Sequence, residues 1–333
     1  MTISEDSLVN SVEKPNLIPL LKKNKGIKLY NNKGIIAYQE GPFNLIVATD
    51  PWPHEQSSKI KLFEDFLTDK GANKRISGYY FTSEFAFELQ KHHQYVTYKI
   101  GESHFVEIQK FHLQGRKARD IRRALNYGHK NQYEFQEIVH LQKKGYLTDI
   151  RDLERKWLKA KVGYRLFGRI GFLLSRVGKG FKDECGSRWF VVKKNQRVIS
   201  FVCLGELDSS ESGPDRYYLE NMIFDPGNGK FAMDFLLANV LKKLKEEGVK
   251  ELYLGLCPFS NIPQKSFFEL VLSRFYSLKL FYDAKGLDHF KSKYSNRTEA
   301  RYLIIKDRVI FSLFDLFTAT FPRFSSFWFG PKC

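Results

Sequence analysis

The sequence predicts an α/β fold of tandem units, each a mixed sheet flanked by helices. Three observations carry this. Short apolar runs with strand character alternate with segments of helical periodicity along residues 26–305. The same order of elements is read twice, weakly over 26–130 and clearly over 131–305. One helix, over 230–247, carries an apolar stripe of Met233, Leu236, Leu237, Val240, Leu241 and Leu244 that needs a sheet to cover it. A length of 333 residues fits about two domains.

In chain order, residues 1–25 are polar and mixed and read as a loose arm. Residues 34–38 and 44–49 are strand-like. Ile60, Phe63, Phe66 and Leu67 recur at helical spacing and predict a helix over 59–67. A strand at 78–81, a helix at 84–91 and two strands at 95–100 and 105–111 follow. In the second unit, 189–192 and 198–204 read as a hairpin around 193–197, and 217–223 as a third strand. The turn Asp225-Pro226-Gly227-Asn228-Gly229 then leads into the striped helix, which Gly248 ends, and a buried strand occupies 251–256. Phe311, Phe314, Phe317 and Phe321 repeat at helical spacing in the tail, 306–333, which suits either an in-plane membrane anchor or a helix packed on the body.

Charge narrows the partners. Lys and Arg number 54 against 37 Asp and Glu, a net +17 that favours polyanions: nucleic acid, anionic lipid or a phosphorylated ligand. The excess sits in two stretches. Residues 110–131 hold seven basic residues and one acidic; residues 151–194 hold thirteen and four. In the first, Ala118, Ile121 and Leu125 fall on one helical side, while Arg116, Arg119, Arg123 and Asn126 occupy a separate arc suited to bidentate phosphate contact. In the second, Trp157, Tyr164, Phe167 and Phe172 interleave with lysines and arginines, as at a single-stranded nucleic acid or headgroup boundary. The four cysteines, Cys185, Cys203, Cys257 and Cys333, show no metal-ligand spacing, and His92-His93 lacks a third ligand, so no metal is expected. They read as reduced thiols in a cytoplasmic protein. The N-terminus lacks a signal-peptide shape, and no run of about 18 apolar residues occurs.

The order of hairpin, strand, glycine turn, helix and strand is that of the GNAT acyltransferase fold. Backbone N–H groups at the glycine turn and the helix N-terminus would face an anionic or carbonyl oxygen. Of the Arg/Gln-x-x-Gly-x-Gly/Ala pyrophosphate motif of CoA-dependent GNAT enzymes, only Gly227 and Gly229 are present; Phe224 stands at the Arg/Gln position.

Several stretches together resemble one family, the C-terminal catalytic domain of bacterial phosphatidylglycerol lysyltransferases. They are Gly115–Asn126, Trp157-Leu158 with Lys161, Met233-Asp234-Phe235-Leu236, Glu251 through Ser260, Gly286-Leu287 with Phe290 through Tyr294, and Glu299 through Leu303. The resemblance implies a tandem GNAT-like fold. It also implies transfer of an aminoacyl group from aminoacyl-tRNA to a hydroxyl of a membrane lipid, usually phosphatidylglycerol, with the two substrates entering a tunnel from opposite sides. Departures stand beside it. Family members usually carry an N-terminal multi-span flippase, which is not seen here. Glu220 aligns where the family usually has Asp, Ile223 where it has Arg, and Thr298-Glu299-Ala300-Arg301-Tyr302 where it has Trp-Glu-Pro-Arg-Tyr.

An aminoacyl ester is already activated, so such an enzyme need only position a hydroxyl and stabilise an oxyanion; no cofactor is called for. Glu220 is the candidate base or holder of the substrate α-amino group, Glu299 and Arg301 the candidate polar pair in the same cleft, and Lys291 and Lys293 the candidate phosphate contacts. The expected partners are aminoacyl-tRNA, an anionic phospholipid and the membrane surface, with the protein in the cytoplasm at the inner face of the membrane. Two alternatives stay open: a CoA-dependent N-acyltransferase acting on a small amine, and a non-catalytic nucleic-acid or membrane-binding module.

Overall fold

A computed structural model describes Leu17, Leu21 and residues 27–54, 58–71, 74–139, 142–160, 187–210, 213–277, 283–306 and 309–320. Its first elements are β1 (Lys28–Asn31), β2 (Gly34–Glu40), β3 (Asn44–Val47), β4 (Trp52–Pro53), α1 (Lys59–Lys70), β5 (Arg75–Thr82), α2 (Ser83–His93) and β6 (Val96–Glu107). Then come α3 (Arg119–Lys130), β7 (Glu134–Ile138), α4 (Lys143–Lys159), β8 (Ser187–Lys194), β9 (Arg197–Ser210) and β10 (Gly213–Phe224). The last are α5 (Ala232–Glu246), β11 (Glu251–Pro258), α6 (Phe267–Ser277), α7 (Ala284–Ser292), β12 (Arg297–Ile305) and α8 (Val309–Thr320). The fold is mixed α/β, as the alternation predicts.

The strands form one 12-stranded sheet in the order β1-β2-β3-β5-β12-β6-β11-β10-β9-β8-β7, with β4 on β2. The pairs β3/β5 and β10/β11 are parallel and the others antiparallel. Strand β12, from late in the chain, lies between β5 and β6, so the sheet runs unbroken through both halves of the sequence.

Helices cover the sheet according to strand alternation. Phe190, Val192, Val202 and Leu204 face one way and pack with the α5 stripe and Ile121 of α3. Their neighbours Trp189, Val191, Phe201 and Cys203 face the other way, against Ile150, Leu153 and Trp157 of α4. Each large apolar side chain so covered contributes about 1.5–3 kcal/mol of transfer free energy. In the first half, Phe63 and Phe66 of α1 and Phe85 and Leu89 of α2 pack on Ile36, Tyr38 and Phe81. The 193–197 hairpin forms as expected, its turn made by Asn195 and Gln196, both at positive φ.

One element departs from the sequence reading. Residues 95–100 and 105–111 belong largely to a single strand, β6, because β12 and β11 pair with it on both sides. Gly101 (φ +146°) permits this: a Cβ there would collide with the Cys257 carbonyl oxygen.

In the tail, α8 packs on β3. The Asp315 carboxylate, fully buried, accepts bonds from Phe43 N (3.0 Å), Asn44 N (2.5 Å) and Asn44 Nδ2 (2.7 Å). Phe43 meets the Phe311 and Phe314 rings at 4.8 and 5.8 Å. The Phe317 side chain and residues 321–333 lie outside the described residues. None of the described helices is long and apolar enough to cross a membrane.

Candidate functional site

Strand alternation puts Arg297, Glu299 and Arg301 on one side of β12. They form a ladder. Glu299 accepts from Arg297 Nη1 through one carboxylate oxygen and from Arg301 Nη2 through the other, at 3.0 Å. Arg297 also pairs with the buried Glu251 of β11. Glu299 and Arg301 thus bond each other, while Glu220 is not among the residues lining the cavity beside Arg301.

Arg301 is buried. Its Nη2 lies 3.3 Å from Tyr253 Oη, and its guanidinium lies 5.4 Å from the Tyr80 ring centre. The Tyr80 and Tyr253 hydroxyls bond each other, and each meets Ser103 Oγ, at 2.9 and 3.0 Å. Burial works against the charge of Arg301, but Tyr253, Tyr80 and Glu299 outweigh it and hold the guanidinium protonated. Burial likewise pushes the Tyr80 phenol well above its ordinary value, so it stays a neutral donor. Among the described residues, Arg301 Nε has no hydrogen-bond partner. Arg301 borders a cavity of about 40 Å³ shared with Asp50, Lys59, Tyr80, Thr82 and Tyr253. Asp50 is held there by Thr82 N (2.9 Å), Thr82 Oγ1 (2.8 Å) and Lys59 Nζ (2.9 Å).

Glu220 stands where β10 and β11 part. Their parallel pairing covers only Arg216–Tyr218 against Glu251–Tyr253, and Glu220 is two residues beyond. It is half-buried, 3.8 Å from Cys203 Sγ, and its charge acts on Tyr218. The Tyr218 ring meets that of Tyr253 edge-on at 5.2 Å. Tyrosines thus lie between Glu220 and Arg301. Gly255 (φ +80°) makes room for Tyr218 Oη, which would lie 2.9 Å from a Cβ there.

The other end of the ladder opens into a groove of about 720 Å³. Arg297 lines it, with Arg116 and Lys117 from the turn before α3, Arg119 at its start and Lys293 just after α7. Arg116 and Arg119 are thereby brought together as the helical arc suggests. Arg123 and Asn126 lie farther along the same exposed side and are not among the lining residues. Ala118 and Ile121 are buried as expected, and Arg122 donates to Leu113 O and Gly115 O instead, holding the loop before α3.

Two further candidates take other positions than expected. Lys291 does not reach the groove. Its ammonium is buried and donates to Leu256 O at 3.0 Å, and burial lowers its pKa. Lys293 does line the groove, but Asp234 already pairs with it, and Tyr294 Oη donates to the same Asp234 oxygen at 2.6 Å. The glycine turn is also occupied from within. Asp225 Oδ1 accepts from Gly227 N (2.9 Å) and Asn228 N (3.2 Å), and Gly229 N donates to Asp225 O (2.8 Å). Burial would raise the Asp225 pKa, but these donors overcome it and hold the carboxyl below its ordinary value. Those N–H groups are spent and do not face a ligand oxygen. Lys161, Tyr164, Phe167 and Phe172 lie outside the described residues.

Arg297, Tyr80, Tyr253, Glu251 and Asp50 escape the sequence reading. For Arg297 a signal exists: Arg-x-Glu-x-Arg from 297 to 301 alternates with period two on a strand.

A family model described as "Phosphatidylglycerol lysyltransferase, C-terminal" matches residues 18–305. A phosphatidylglycerol lysyltransferase of Bacillus subtilis (strain 168) is 23% identical over 265 residues, covering 78% of this chain and 29% of that protein. This chain thus spans under a third of that relative's length. The structure of L-PGS from Bacillus licheniformis matches with a TM-score of 0.73 at 20% identity, over 92% of this chain and 93% of that one. A C-terminal domain (DUF2156) from Agrobacterium fabrum, assigned to a lysylphosphatidylglycerol synthetase, matches with a TM-score of 0.75 at 19% identity and the same coverage. At these identities the two structures speak to the fold.

Proposed function

The chain belongs to the family of phosphatidylglycerol lysyltransferase C-terminal domains, and from that premise we propose that it transfers an aminoacyl group from aminoacyl-tRNA to a hydroxyl of an anionic membrane lipid such as phosphatidylglycerol. One observation carries the reading: Glu299 joins an arginine that lines the basic groove to an arginine that lines the inner cavity. A polyanion held in the groove would have its reacting end directed at a dry, polar seam. We read residues 26–130 and 131–305 as two GNAT-like lobes meeting at this seam, with an arm at 1–25 and an aromatic tail at 306–333.

The reaction is a transesterification. The lipid hydroxyl oxygen attacks the ester carbonyl, its proton passes to a base, and the tRNA ribose hydroxyl leaves reprotonated. Atoms and electrons balance without a cofactor. Arg116 and Arg119 hold phosphate oxygens by bidentate contact, and Arg297, tied to Glu299 and Glu251, links the groove to the seam. Glu220, where β10 and β11 part, takes the proton or holds the α-amino group. Arg301 with its open Nε, backed by Tyr80 and Tyr253, stabilises the developing oxyanion, a task that low dielectric strengthens. Reaction with a lipid puts the protein at the inner face of the membrane. The spent N–H groups of the glycine turn argue against pyrophosphate binding there, and so against the CoA-dependent alternative.

The test is expression in a host lacking aminoacyl lipids, with radiolabelled amino acids supplied one at a time. Label in the organic phase, lost in Glu220→Ala and Arg301→Ala, is expected. Unlabelled lipid with every amino acid overturns the reading, and thermal stabilisation by acetyl-CoA would favour the alternative.

A further inference from the structure

Three side chains from distant parts of the chain converge beside the groove, which His104 and Asp288 line and behind which Cys257 is buried. His104 comes from β6, Cys257 from β11 and Asp288 from α7. Their donor atoms lie within 4.8 Å of one another. Two of them are aimed by a second layer. His104 Nδ1 meets Ser295 Oγ at 2.9 Å, which turns Nε2 toward Asp288 Oδ1, also at 2.9 Å. Tyr276 Oη donates to Asp288 Oδ2 at 2.6 Å, leaving Oδ1 directed inward. Holding the far atom of each ligand in this way is how metal sites fix ring orientation and carboxylate geometry.

We propose that His104, Cys257 and Asp288 bind one divalent cation of the zinc class, independently of the transferase reading. The donor set selects the ion: imidazole nitrogen, thiolate sulfur and a single carboxylate oxygen suit zinc or cobalt(II), whereas magnesium and calcium demand oxygens throughout. Three protein donors leave a fourth position. Because His104 and Asp288 line the groove, the ion has a route in and a water can complete the tetrahedron. The Cys257 thiol proton leaves to solvent as the sulfur–metal bond forms. The thiolate and the Asp288 carboxylate then neutralise the ion's two charges. Lys291 and Glu102 are the charged neighbours of this cluster. Lys291 donates to Leu256 O and acts on Asp288 and Cys257 through its charge. A bound ion would pin β6, β11 and α7 to one another.

Cobalt(II) is the probe, titrated into the purified chain and followed by absorption. One equivalent per chain with a thiolate-to-cobalt charge-transfer band is expected, and zinc should displace it. The band should persist in Cys203→Ala and vanish in Cys257→Ala. Asp288→Asn, which preserves side-chain shape, should weaken binding at least about tenfold, in line with loss of a charged ligand. Zinc should raise the thermal midpoint of the wild type and leave that of Cys257→Ala unchanged. A wild-type chain that gives no band, or a band that survives in Cys257→Ala, overturns the proposal. Far-ultraviolet circular dichroism of each variant separates lost binding from lost folding.

Discussion

Arg297 and Arg301 stand four residues apart on one strand and share one carboxylate, yet they belong to different environments. The Arg297 side chain keeps 28% of its surface and borders an open groove; that of Arg301 keeps 5% and borders a much smaller cavity. The groove is a surface on which charge is screened by salt and paid out contact by contact. The seam is a low-dielectric interior where the hydroxyls of Tyr80, Tyr253 and Ser103 and the Arg301 Nη2 are already engaged, which leaves Arg301 Nε as its unpaired donor among the described residues. The lesson is that net charge indicates a partner class, while burial decides which cations can bind it and which can act on it.

The largest effect that would break this comparison comes from the seam. Arg301→Met leaves Tyr253 and Glu299 without their shared cation and should cost about 3–5 kcal/mol of stability, as breaking a buried pair does, measured by denaturant titration. A loss near zero would place Arg301 with the surface arginines. Next, Tyr253→Phe removes the hydroxyl that meets Tyr80, Ser103 and Arg301, and should cost about 1–3 kcal/mol. In the groove the expected signature is different. Arg116→Ala and Arg119→Ala should leave the denaturation midpoint unchanged, weaken tRNA binding, and each lower the slope of log affinity against log salt by about 1. An unchanged slope would remove these residues from phosphate contact.

The smallest effect sharpens the contrast between a half-buried and a fully buried carboxylate. Glu299 has arginine partners, whereas the Asp315 bonds described here come from amide donors. Burial raises the Asp315 pKa above its ordinary 3.8. Between that value and its folded-state value the native chain binds more protons than the unfolded one, so stability falls as pH rises through that window and is level above it. Asp315→Asn should remove this contribution, seen by comparing denaturation midpoints of the two chains across the acid range.

Much of the architecture was legible locally. The α5 stripe, the 193–197 hairpin and the inward side of α3 follow from period and turn chemistry within a dozen residues. Partner choice was not legible. Nothing near Lys291 in sequence says that Leu256 O, 35 residues away, takes its ammonium. The Asp225 bonds to the N–H groups of its own turn are, by contrast, an Asx turn that the local Asp-Pro-Gly pattern could have signalled. Of the site, Arg116, Arg119, Glu299 and Arg301 came from arc, resemblance and motif. Tyr80, Tyr253 and Asp50 were hidden because they converge only when β5, β11 and the loop after β3 are laid beside β12. The same holds for His104 and Asp288, which are 184 residues apart.

The position of β12 between β5 and β6 also dictates an order of assembly on the ribosome. Strands β5 and β6 each lack one neighbour until residues 297–305 have been synthesised, and β6 has no neighbour at all until β11, residues 251–258, is made. The opening third of the chain must therefore wait with edges unzipped through most of translation, and its closure is a long-range, slow event. A chain cut short before Arg297 would carry that open edge permanently, an invitation to intermolecular strand addition.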